Sequence, residues 1–361
     1  MTNQLPRQTR QTWQKGSRRH EPARFMQKVI DPAGWYAADV SGSAAWIYTL
    51  NAAEIAEIMA AVQRVSERGL DIKDITREDF GLPILAAGLA DIRDELMKGR
   101  GFAMIRGLPL ADLGRAEIAA AFWGIGRHIG RQISQNGQGH LLGHVKDLGG
   151  DYGHATTRGY RTNAQMAFHN DQCDILALCC LHPAKSGGDH AICSSVTLYN
   201  ELFKRRPDLM REFGYAFYRS RSGELPPGET EPWQRQYIFN FEQGYFAARG
   251  VGAAIIKAQD LPGVPALTGT QKEALELFRT LAVELAVEIP FEQGDIFCLT
   301  NHVTLHSRGA FEDWPEPDRK RHLLRLWLDT DGARPLPPEI ARQSAGVTVA
   351  GTELTVPLDV A

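Results

Sequence analysis

Two side chains that can bind a metal, His169 and Asp171, stand two positions apart in the apolar stretch MAFHNDQCDI (residues 166–175). In an extended strand, residues i and i+2 point to the same side, so both could bind one ion while Asn170 faces away. A ferrous centre for oxygen chemistry takes two histidines and one carboxylate on one face. The pair alone is weak evidence, because chance readily supplies it in a chain with 11 His and 43 acidic residues. A third ligand has to come from elsewhere.

The C-terminal half of the chain holds His302, His306 and the arginine pair Arg321 and Arg325. The two arginines are four apart, so on a strand they share one face, about 13 Å apart at roughly 3.3 Å per residue. Burying a guanidinium without a partner is costly, and its planar fork matches a carboxylate. We therefore expect an anionic ligand there, with a structural ion pair to the acids of residues 311–318 as the alternative.

Taken together, these segments resemble the iron(II)/2-oxoglutarate-dependent dioxygenases of the taurine dioxygenase and clavaminate synthase superfamily. That family carries, in order, an HxD motif, a Gly-Gly-Asp turn, a distal G-D…N-x4-H segment and R-x3-R. The same order occurs here in His169–Asp171, SGGDH (186–190), Gly294–Asp295 with Asn301 and His306, and Arg321 with Arg325. The resemblance spans roughly residues 100–330, and the ordered set is far more specific than a single HxD.

The resemblance implies a catalytic iron(II) bound by His169, Asp171 and His306. It implies that Arg321 binds the distal carboxylate of the cosubstrate 2-oxoglutarate. His302 falls where relatives often have an arginine, so His306 is the preferred third ligand. The implied reaction consumes O2 and 2-oxoglutarate, releases succinate and CO2, and hydroxylates an unactivated C–H bond of a small molecule, which an anionic or amino-acid-like compound would fit.

One position departs from the family pattern. Relatives commonly have Thr or Ser after the Gly-Gly-Asp turn to help bind 2-oxoglutarate, whereas this chain has His190, whose imidazole could donate a similar hydrogen bond. Three residues are candidates for contacting substrate. Arg325 matches a position that often does so in relatives, Gln165 lies four before His169 on the predicted ligand face, and Asn136 lies where relatives place a substrate-facing segment. A plain turn at Asn136 is the alternative.

Composition narrows the class of protein. At 361 residues, 43% hydrophobic and 23% charged, the chain is typical of a globular protein with a real core. Its net charge of −3 suggests no nucleic-acid partner, and no apolar run is long enough to predict a membrane span. Five cysteines without a CxxC predict reduced thiols in a cytoplasmic protein. A homo-oligomer is compatible with the sequence, which does not decide the oligomeric state.

The alternation of apolar segments and turn residues along the chain predicts an α+β fold that is mainly β. From about residue 140, short apolar strands alternate with turns, which favours a double-stranded β-helix (jelly roll) core with flanking α-helices. Helices are predicted over about 51–68, 85–98, 115–130, 196–206 and 270–285. Three segments follow: a basic, poorly ordered arm (1–30), a single jelly-roll oxygenase domain with an N-terminal helical elaboration (31–345) and a C-terminal tail (346–361).

Two other functions stay open from the sequence. A metal-dependent hydrolase or isomerase on the same scaffold would keep the three ligands but would have no use for Arg321. A non-catalytic protein with a degenerate site would bind metal without 2-oxoglutarate. The motifs do not identify the substrate, nor do they separate hydroxylation from desaturation or cyclisation.

Overall fold

The computed structural model describes residues 13–150, 161–221, 223, 225, 228–332, 334–347 and 351–359. Within these ranges, no helix combines the length and the apolar character that a bilayer crossing requires.

The five predicted helices are confirmed in position, and the described residues add four short helices that the sequence signals did not predict. In the described part of the chain they are α1 (Ala37–Val40), α2 (Ala52–Glu67), α3 (Ala86–Lys98), α4 (Arg115–Ile129), α5 (Ser195–Arg205), α6 (Pro207–Met210), α7 (Ala253–Ala258), α8 (Gly269–Glu284) and α9 (Pro338–Gln343). Helix α2 begins with a capping box, in which the Asn51 side chain accepts from Glu54 N and the Glu54 carboxylate accepts from Asn51 N.

The strands in the same ranges are short. They are β1 (Ile47–Thr49), β2 (Phe102–Arg106), β3 (Arg131–Ile133), β4 (Leu142–Val145), β5 (Met166–His169), β6 (Ile175–His182), β7 (Ser186–Gly187), β8 (His190–Ser194), β9 (Phe217–Ser220), β10 (Trp233–Gln236), β11 (Phe239–Glu242), β12 (Tyr245–Ala248), β13 (Val287–Ile289), β14 (Ile296–Thr300), β15 (Thr304–Arg308), β16 (Phe311–Glu312) and β17 (His322–Asp329).

Two sheets position the candidate site. The major sheet has the strand order β1-β2-β14-β6-β17-β3, with β4 also paired to β17, and its pairs are antiparallel except β1 with β2. The minor sheet has the order β13-β8-β15-β5 and is antiparallel. Two further hairpins, β9-β10 and β11-β12, and the small β7-β16 pair lie outside these sheets.

The buried apolar side chains form three clusters. Helices α2, α3 and α4 pack on one face of the major sheet, where Leu324 and Leu326 are buried. A second cluster joins α5 and α8 to the minor sheet. The third cluster contains side chains of both sheets, including Trp327 of β17 and Ile192 of β8. The fold is therefore a mixed α/β arrangement with two facing sheets and helices outside them, as far as the described residues show.

The N-terminal segment contacts the body from residue 13 onward. Trp13 packs against the first apolar cluster, and Arg18 donates to Glu95 at 2.7 Å. The physical reason is that the Glu95 side chain is fully buried and requires charged partners. Residues 1–12 of the predicted arm lie outside the described residues. The boundaries of the three predicted segments stay predictions.

The C-terminal segment also packs on the body. Ile340 of α9 and Val347 are buried, and Leu141 N donates to Thr355 O at 2.8 Å. A buried ion pair between Arg334 and Asp31, with its shorter N–O distance at 2.6 Å, joins this segment to the N-terminal one. The two ends of the described chain are thus tied together beside the sheets.

Candidate active site

Three potential metal ligands converge at the edge of the minor sheet. His169 ends β5, His306 lies directly opposite it in β15, and their ring centroids are 4.2 Å apart. Asp171 follows two residues after His169. One ligand atom from each of the three lies within 4.8 Å of the others. The structure therefore brings together the two histidines and the carboxylate that the sequence singled out.

Hydrogen bonds orient the Asp171 carboxylate. Its Oδ2 accepts from Trp327 Nε1 at 2.8 Å and lies 3.5 Å from Arg325 Nη1, both on β17 of the major sheet. Its Oδ1 lies 3.9 Å from His169 Nε2. Asp171 N donates to Asn301 Oδ1 at 3.0 Å. One carboxylate oxygen is thus directed at the histidines because the other is already engaged.

Asn170, between the two ligands, faces away from them as strand alternation predicts. Its Nδ2 donates to Asn301 O at 2.6 Å and to Thr304 O at 3.0 Å, while its Oδ1 accepts from Gly250 N at 2.6 Å. A Cβ at Gly250 would lie 3.0 Å from His169 Cα, so a larger residue would push this backbone approach apart by a few tenths of an ångström. Asn170 therefore fixes the end of β5 against its neighbours.

The pKa shifts of His306 and Asp171 suit metal binding. Burial, together with the neighbouring His169, lowers the pKa of His306 to about 3. Burial raises the pKa of Asp171, but Arg325, the two histidines and the Trp327 hydrogen bond outweigh it, so the net pKa is lowered. His169 Nδ1 lies 2.9 Å from Ala167 O, which leaves Nε2 for a metal when Nδ1 carries the proton. Neutral imidazoles and an ionised carboxylate are the forms that bind metals.

His302, the alternative third ligand, has a different partner. It is fully buried, and its Nε2 lies 2.8 Å from Asp174 Oδ1. The other oxygen of Asp174 accepts from Thr330 N at 3.0 Å. His302 therefore belongs to a structural network beneath the ligands, and the geometry favours His306 as the third ligand.

Arg321, one residue before β17, is almost fully buried. Its Nη2 donates to Gly188 O at 3.3 Å and to His190 Nε2 at 3.0 Å, and its guanidinium carbon lies 5.1 Å from the centroid of the Phe311 ring. Burial and the charge of Arg308 lower the pKa of Arg321 to about 10, so it stays cationic at neutral pH. Its Nη1 is buried without a hydrogen-bond partner among the described residues. A carboxylate would satisfy that donor.

The Gly-Gly-Asp turn shapes the space around Arg321. Gly187 and Gly188 have φ of 67° and 74°, the left-handed region that favours glycine. A Cβ on Gly188 would lie 3.0 Å from Phe311 Cβ and 3.1 Å from Arg321 Nε. His190, two residues on, is buried, and burial together with the Arg321 charge lowers its pKa well below the usual value. A hydrogen bond from His190 to 2-oxoglutarate stays a prediction.

Arg325 has an unexpected acidic partner. Its Nε donates to Gln135 Oε1 at 2.7 Å, and the carboxylate near it is that of Asp171 rather than one of residues 311–318. Arg325 borders a cavity of about 210 Å³ that Asn136 also lines. The Asn136 Oδ1 accepts from two backbone N–H groups of the following turn, so Asn136 both builds that turn and faces the cavity.

Gln165 lies outside the strand that was expected to position it. It is exposed and precedes β5. The pairing of β5 with β15 shifts register between His169 and Met166, and such a bulge breaks the simple alternation of side chains. The shared-face argument therefore fails, and a substrate contact of Gln165 stays a prediction without that support.

Sequence reasoning missed several residues that border the site. Trp327 was not singled out, and neither was a second cleft beside His169 that Arg219 and Arg249 also line. No local spacing connects these residues with the HxD motif. The only signal for Trp327 was its position two residues after Arg325, on the same face of β17.

Comparison with known proteins assigns the chain to a family. Residues 68–327 match the family described as "Taurine catabolism dioxygenase TauD, TfdA family". The chain belongs to this family. TauD/TfdA family membership confirms the resemblance seen in the motifs and makes the chain a dioxygenase.

Two sequence relatives cover most of the chain. FR-33289 synthase of Streptomyces rubellomurinus is 33% identical over 329 residues, which are 88% of this chain and 94% of the relative. The taurine hydroxylase-like protein SAT17 of Stachybotrys chartarum is 28% identical over 343 residues, 90% of this chain and 86% of the relative. The family relationship therefore extends over nearly the full length.

Solved structures share the fold. An asparagine oxygenase in complex with Fe(II), 3-hydroxyasparagine and succinate has a TM-score of 0.61 at 16% identity, over 79% of this chain and 94% of that one. The non-heme iron oxygenase OrfP in complex with Fe and α-ketoglutaric acid has a TM-score of 0.59 at 16% identity, over 81% and 99%. At 16% identity, these structural similarities support the fold of this TauD/TfdA family member and nothing beyond the fold.

Proposed function

We propose that this chain is an iron(II)- and 2-oxoglutarate-dependent oxygenase that hydroxylates a C–H bond of a small molecule. The observation that carries the proposal is the placement of three metal ligands, His169, Asp171 and His306, between sheets that also bury Arg321 with an unpartnered Nη1. Family membership supports it. So do the iron, 2-oxoglutarate and succinate named for the structural neighbours.

The residues present fit both groups. His169, Asp171 and His306 would bind iron(II) and leave its other positions open. Arg321 would bind the distal carboxylate of 2-oxoglutarate, because its free N–H group needs an acceptor in a buried place. His190 accepts a hydrogen bond from Arg321 and so fixes the guanidinium.

When bound, iron(II) and 2-oxoglutarate supply the oxidising chemistry, in which O2 converts 2-oxoglutarate to succinate and CO2 and hydroxylates the substrate. The chain's own residues prepare the place for it. Trp327 and Arg325 bind one oxygen of Asp171 and keep the other directed at the histidines. Trp327 belongs to the apolar cluster between the sheets, so the donor to Asp171 is itself buried.

The finer features belong to the same proposal. The two facing sheets form the double-stranded β-helix of the predicted jelly roll, and the enzyme is cytoplasmic, in keeping with its five free and buried cysteines. Its partner is a small-molecule substrate, which Arg325, Asn136 and Gln165 contact. Arg325 and Asn136 both line the cavity of about 210 Å³, which supports a contact of these two residues with substrate.

Calorimetry of Arg321→Ala tests the proposal. With Mn(II) as an inert substitute for iron, wild-type protein should bind 2-oxoglutarate, and Arg321→Ala should bind it about ten- to a hundredfold more weakly, as the loss of a charge-assisted hydrogen bond predicts. Arg319→Ala is the matched control, because Arg319 is close in sequence but exposed over Trp314. It should leave the affinity unchanged.

Each alternative function predicts a different result. A hydrolase or isomerase would not bind 2-oxoglutarate specifically, and its activity would survive Arg321→Ala. A degenerate site would bind Mn(II) without binding 2-oxoglutarate. Either result would refute the oxygenase.

A further inference from the structure

Residues 352–359, here called the C-terminal strap, form one wall of the cavity of about 210 Å³ that Arg325 and Asn136 line. Pro357 and Asp359 of the strap border this cavity directly, opposite residues of the body. The strap therefore covers one side of the space that the proposed function assigns to the substrate.

Backbone hydrogen bonds attach the strap to the body at one place. Thr355 forms a parallel β-bridge with His140, where Thr355 N donates to Gly139 O at 3.0 Å and Thr355 O accepts from Leu141 N at 2.8 Å. None of the eight residues of the strap is fully buried. Such a segment can open without unfolding the sheets, because local opening requires least free energy where few buried contacts are lost.

Side chains of the strap add modest contacts. Val356 and Leu358 are half-buried against the first apolar cluster. Asp359 pairs with Arg115, and both side chains are largely exposed. Exposed ion pairs contribute little, so this pair does not keep the strap closed by itself.

His144 of β4 provides a buried attachment. Its Nε2 donates to Pro357 O at 2.9 Å, and its Nδ1 lies 2.8 Å from His322 Nε2 on β17. A carbonyl oxygen only accepts, so Nε2 carries the proton and Nδ1 accepts from His322. Burial lowers the pKa of His144, and burial together with the charge of neighbouring cations and histidines lowers that of His322 to about 3. Both rings are therefore neutral at neutral pH.

Gly139 allows the strap to lie close to the body. Its φ is 76°, in the left-handed region that favours glycine. A Cβ at this position would overlap Glu353 O and lie 2.9 Å from Thr352 Cγ2, both on the strap. A side chain at residue 139 would therefore push the strap away from the cavity.

We propose that the C-terminal strap is a gate of the substrate cavity, which is closed while His144 holds Pro357 and opens to let substrate enter and leave. The inference rests on the proposed function, which assigns the substrate to this cavity beside Arg325. Arg321 does not line the cavity. Opening or closing the strap should therefore leave the binding of 2-oxoglutarate unchanged.

Diethyl pyrocarbonate, a small reagent that acylates neutral imidazole rings, is the probe for the gate. His144 should react only while the strap is open, because both of its ring nitrogens are engaged when it is closed. Full-length protein, with and without Mn(II) and 2-oxoglutarate, is labelled at neutral pH, and mass spectrometry gives the rate at His144. Amide hydrogen exchange of the strap is measured in parallel. It should be faster than that of β6, which reports opening of the major sheet.

Gly139→Ala should open the gate. Labelling of His144 and amide exchange of the strap should both increase about tenfold, as steric overlap of this kind predicts. Gly42→Ala is the matched control, because Gly42 has a φ of 75° but a Cβ there would meet nothing within 4 Å. It shares the backbone strain and should leave both rates at their wild-type values relative to β6.

A disulfide across the β-bridge should lock the gate. Paired strands lie about 4.8 Å apart, within the reach of a disulfide, so His140→Cys combined with Thr355→Cys can be oxidised across the bridge. The five native cysteines are buried and do not compete. The oxidised variant should be labelled at His144 about tenfold or more slowly than the same variant after reduction, since the disulfide opposes opening.

Removal of the His144 ring tests the attachment itself. His144→Phe should increase amide exchange of the strap about two- to tenfold, as the loss of one buried hydrogen bond predicts. His128→Phe is the control, because His128 Nε2 also lies 2.8 Å from a backbone oxygen, that of Phe80, and His128 does not contact the strap. Exchange of the strap relative to β6 should not change in this variant.

The outcomes separate the gate from the oxygenase. Strap amides that exchange only together with β6, or labelling of His144 that oxidation of the locked variant leaves unchanged, would overturn the gate and spare the oxygenase. A loss of 2-oxoglutarate affinity on oxidation would also overturn it, because the strap would then cover the cosubstrate. Failure of the Mn(II)-loaded wild type to bind 2-oxoglutarate refutes the oxygenase, and the gate is then decided by the measurements on the metal-free protein.

Discussion

At the residue scale, the behaviour of Asp171 depends on a tryptophan contributed by the opposite sheet. Trp327 Nε1 donates to the carboxylate oxygen that points away from His169, at 2.8 Å. An outer hydrogen bond of this kind fixes the orientation and the charge of a metal ligand. We therefore expect the indole N–H to contribute to metal affinity, although the ring lies in apolar surroundings.

Trp327→Phe tests that role. The phenyl ring keeps most of the packing but removes the N–H donor, so metal affinity should fall about ten- to a hundredfold, the usual effect of losing an outer-shell partner. Mn(II) or Fe(II) affinity measured by anaerobic calorimetry checks it.

Trp46→Phe is the control for this substitution. Trp46 belongs to the same apolar cluster, and its Nε1 has no hydrogen-bond partner among the described residues. Both variants should lose similar free energy of unfolding, but only Trp327→Phe should lose metal affinity. Equal affinities in the two variants would contradict the role of the indole N–H.

At the element scale, a two-glycine turn determines whether Arg321 has room. The turn at Gly187 and Gly188 lies against Phe311 and the Arg321 side chain, and both glycines have positive φ. The turn carries no chemical group of its own. Because its two glycines have no side chains, the turn leaves space for the Arg321 guanidinium.

Gly188→Ala should therefore affect cosubstrate binding as well as stability. The new Cβ would press on Phe311 Cβ and Arg321 Nε, displacing the guanidinium, so 2-oxoglutarate affinity should drop about tenfold or more, since 1.4 kcal/mol of misplaced interaction is enough. Calorimetry with Mn(II)-loaded protein measures the drop.

Gly69→Ala provides the comparison. Gly69 also has positive φ, at 61°, but a Cβ there would meet nothing within 4 Å. Both variants share the backbone strain of about 1–2 kcal/mol. If Gly69→Ala weakened 2-oxoglutarate binding as much as Gly188→Ala does, the contact with Arg321 would not be the cause.

Elements with local signals were predictable, and contacts between distant elements were not. The capping box of Asn51 and Glu54 starts α2 where expected, because both partners lie within one helical turn. The two-residue spacing of His169 and Asp171 likewise predicted that both side chains lie on one side of the chain, and their ligand atoms lie within 4.8 Å of each other. Gln165 was misplaced because a bulge in β5 is set by pairing with β15, and the Trp327 contact to Asp171 spans 156 residues. Such pairings depend on sheet register, which one sequence does not display.

At the scale of the whole molecule, buried charges attach the N-terminal segment to the body. The Glu95 carboxylate accepts from Gly16 N, from Arg18 Nη1 at 2.7 Å and from Arg100 Nε at 2.6 Å. Burial raises the pKa of Glu95, but the hydrogen bonds of Arg100 and Arg18 outweigh it and lower the pKa below its ordinary 4.5. The ionised form is therefore the one that the fold stabilises.

Stability should depend on pH through Glu95. Because the folded-state pKa lies below the unfolded value, its contribution is present above pH 4.5 and is lost as the pH falls through the folded-state pKa. Glu95→Gln should lose about 1–3 kcal/mol at neutral pH, since a neutral amide replaces the buried carboxylate that accepts from the partly exposed Arg18 and Arg100. The difference in unfolding free energy between wild type and Glu95→Gln should become smaller as the pH falls, and urea unfolding curves measured at several pH values would show it.

The exposed pair of Lys15 and Asp91 gives the contrast. Both side chains are 47% exposed, and such pairs contribute about 0–1 kcal/mol. Asp91→Asn should therefore change the unfolding free energy little at any of these pH values. A Glu95→Gln deficit that stayed constant on acidification would contradict the assignment.

The place of β17 has a consequence for how the protein is made. It is the last strand in the described part of the chain, yet it lies inside the major sheet, between β6 and β3, and it carries Arg325 and Trp327. Until residue 329 has left the ribosome, the apolar strand β6 has one edge without its partner, and unpaired edges invite aggregation. The candidate active site is thus completed only after residue 329 has been synthesised, and we expect a nascent chain to need protection of that edge until then.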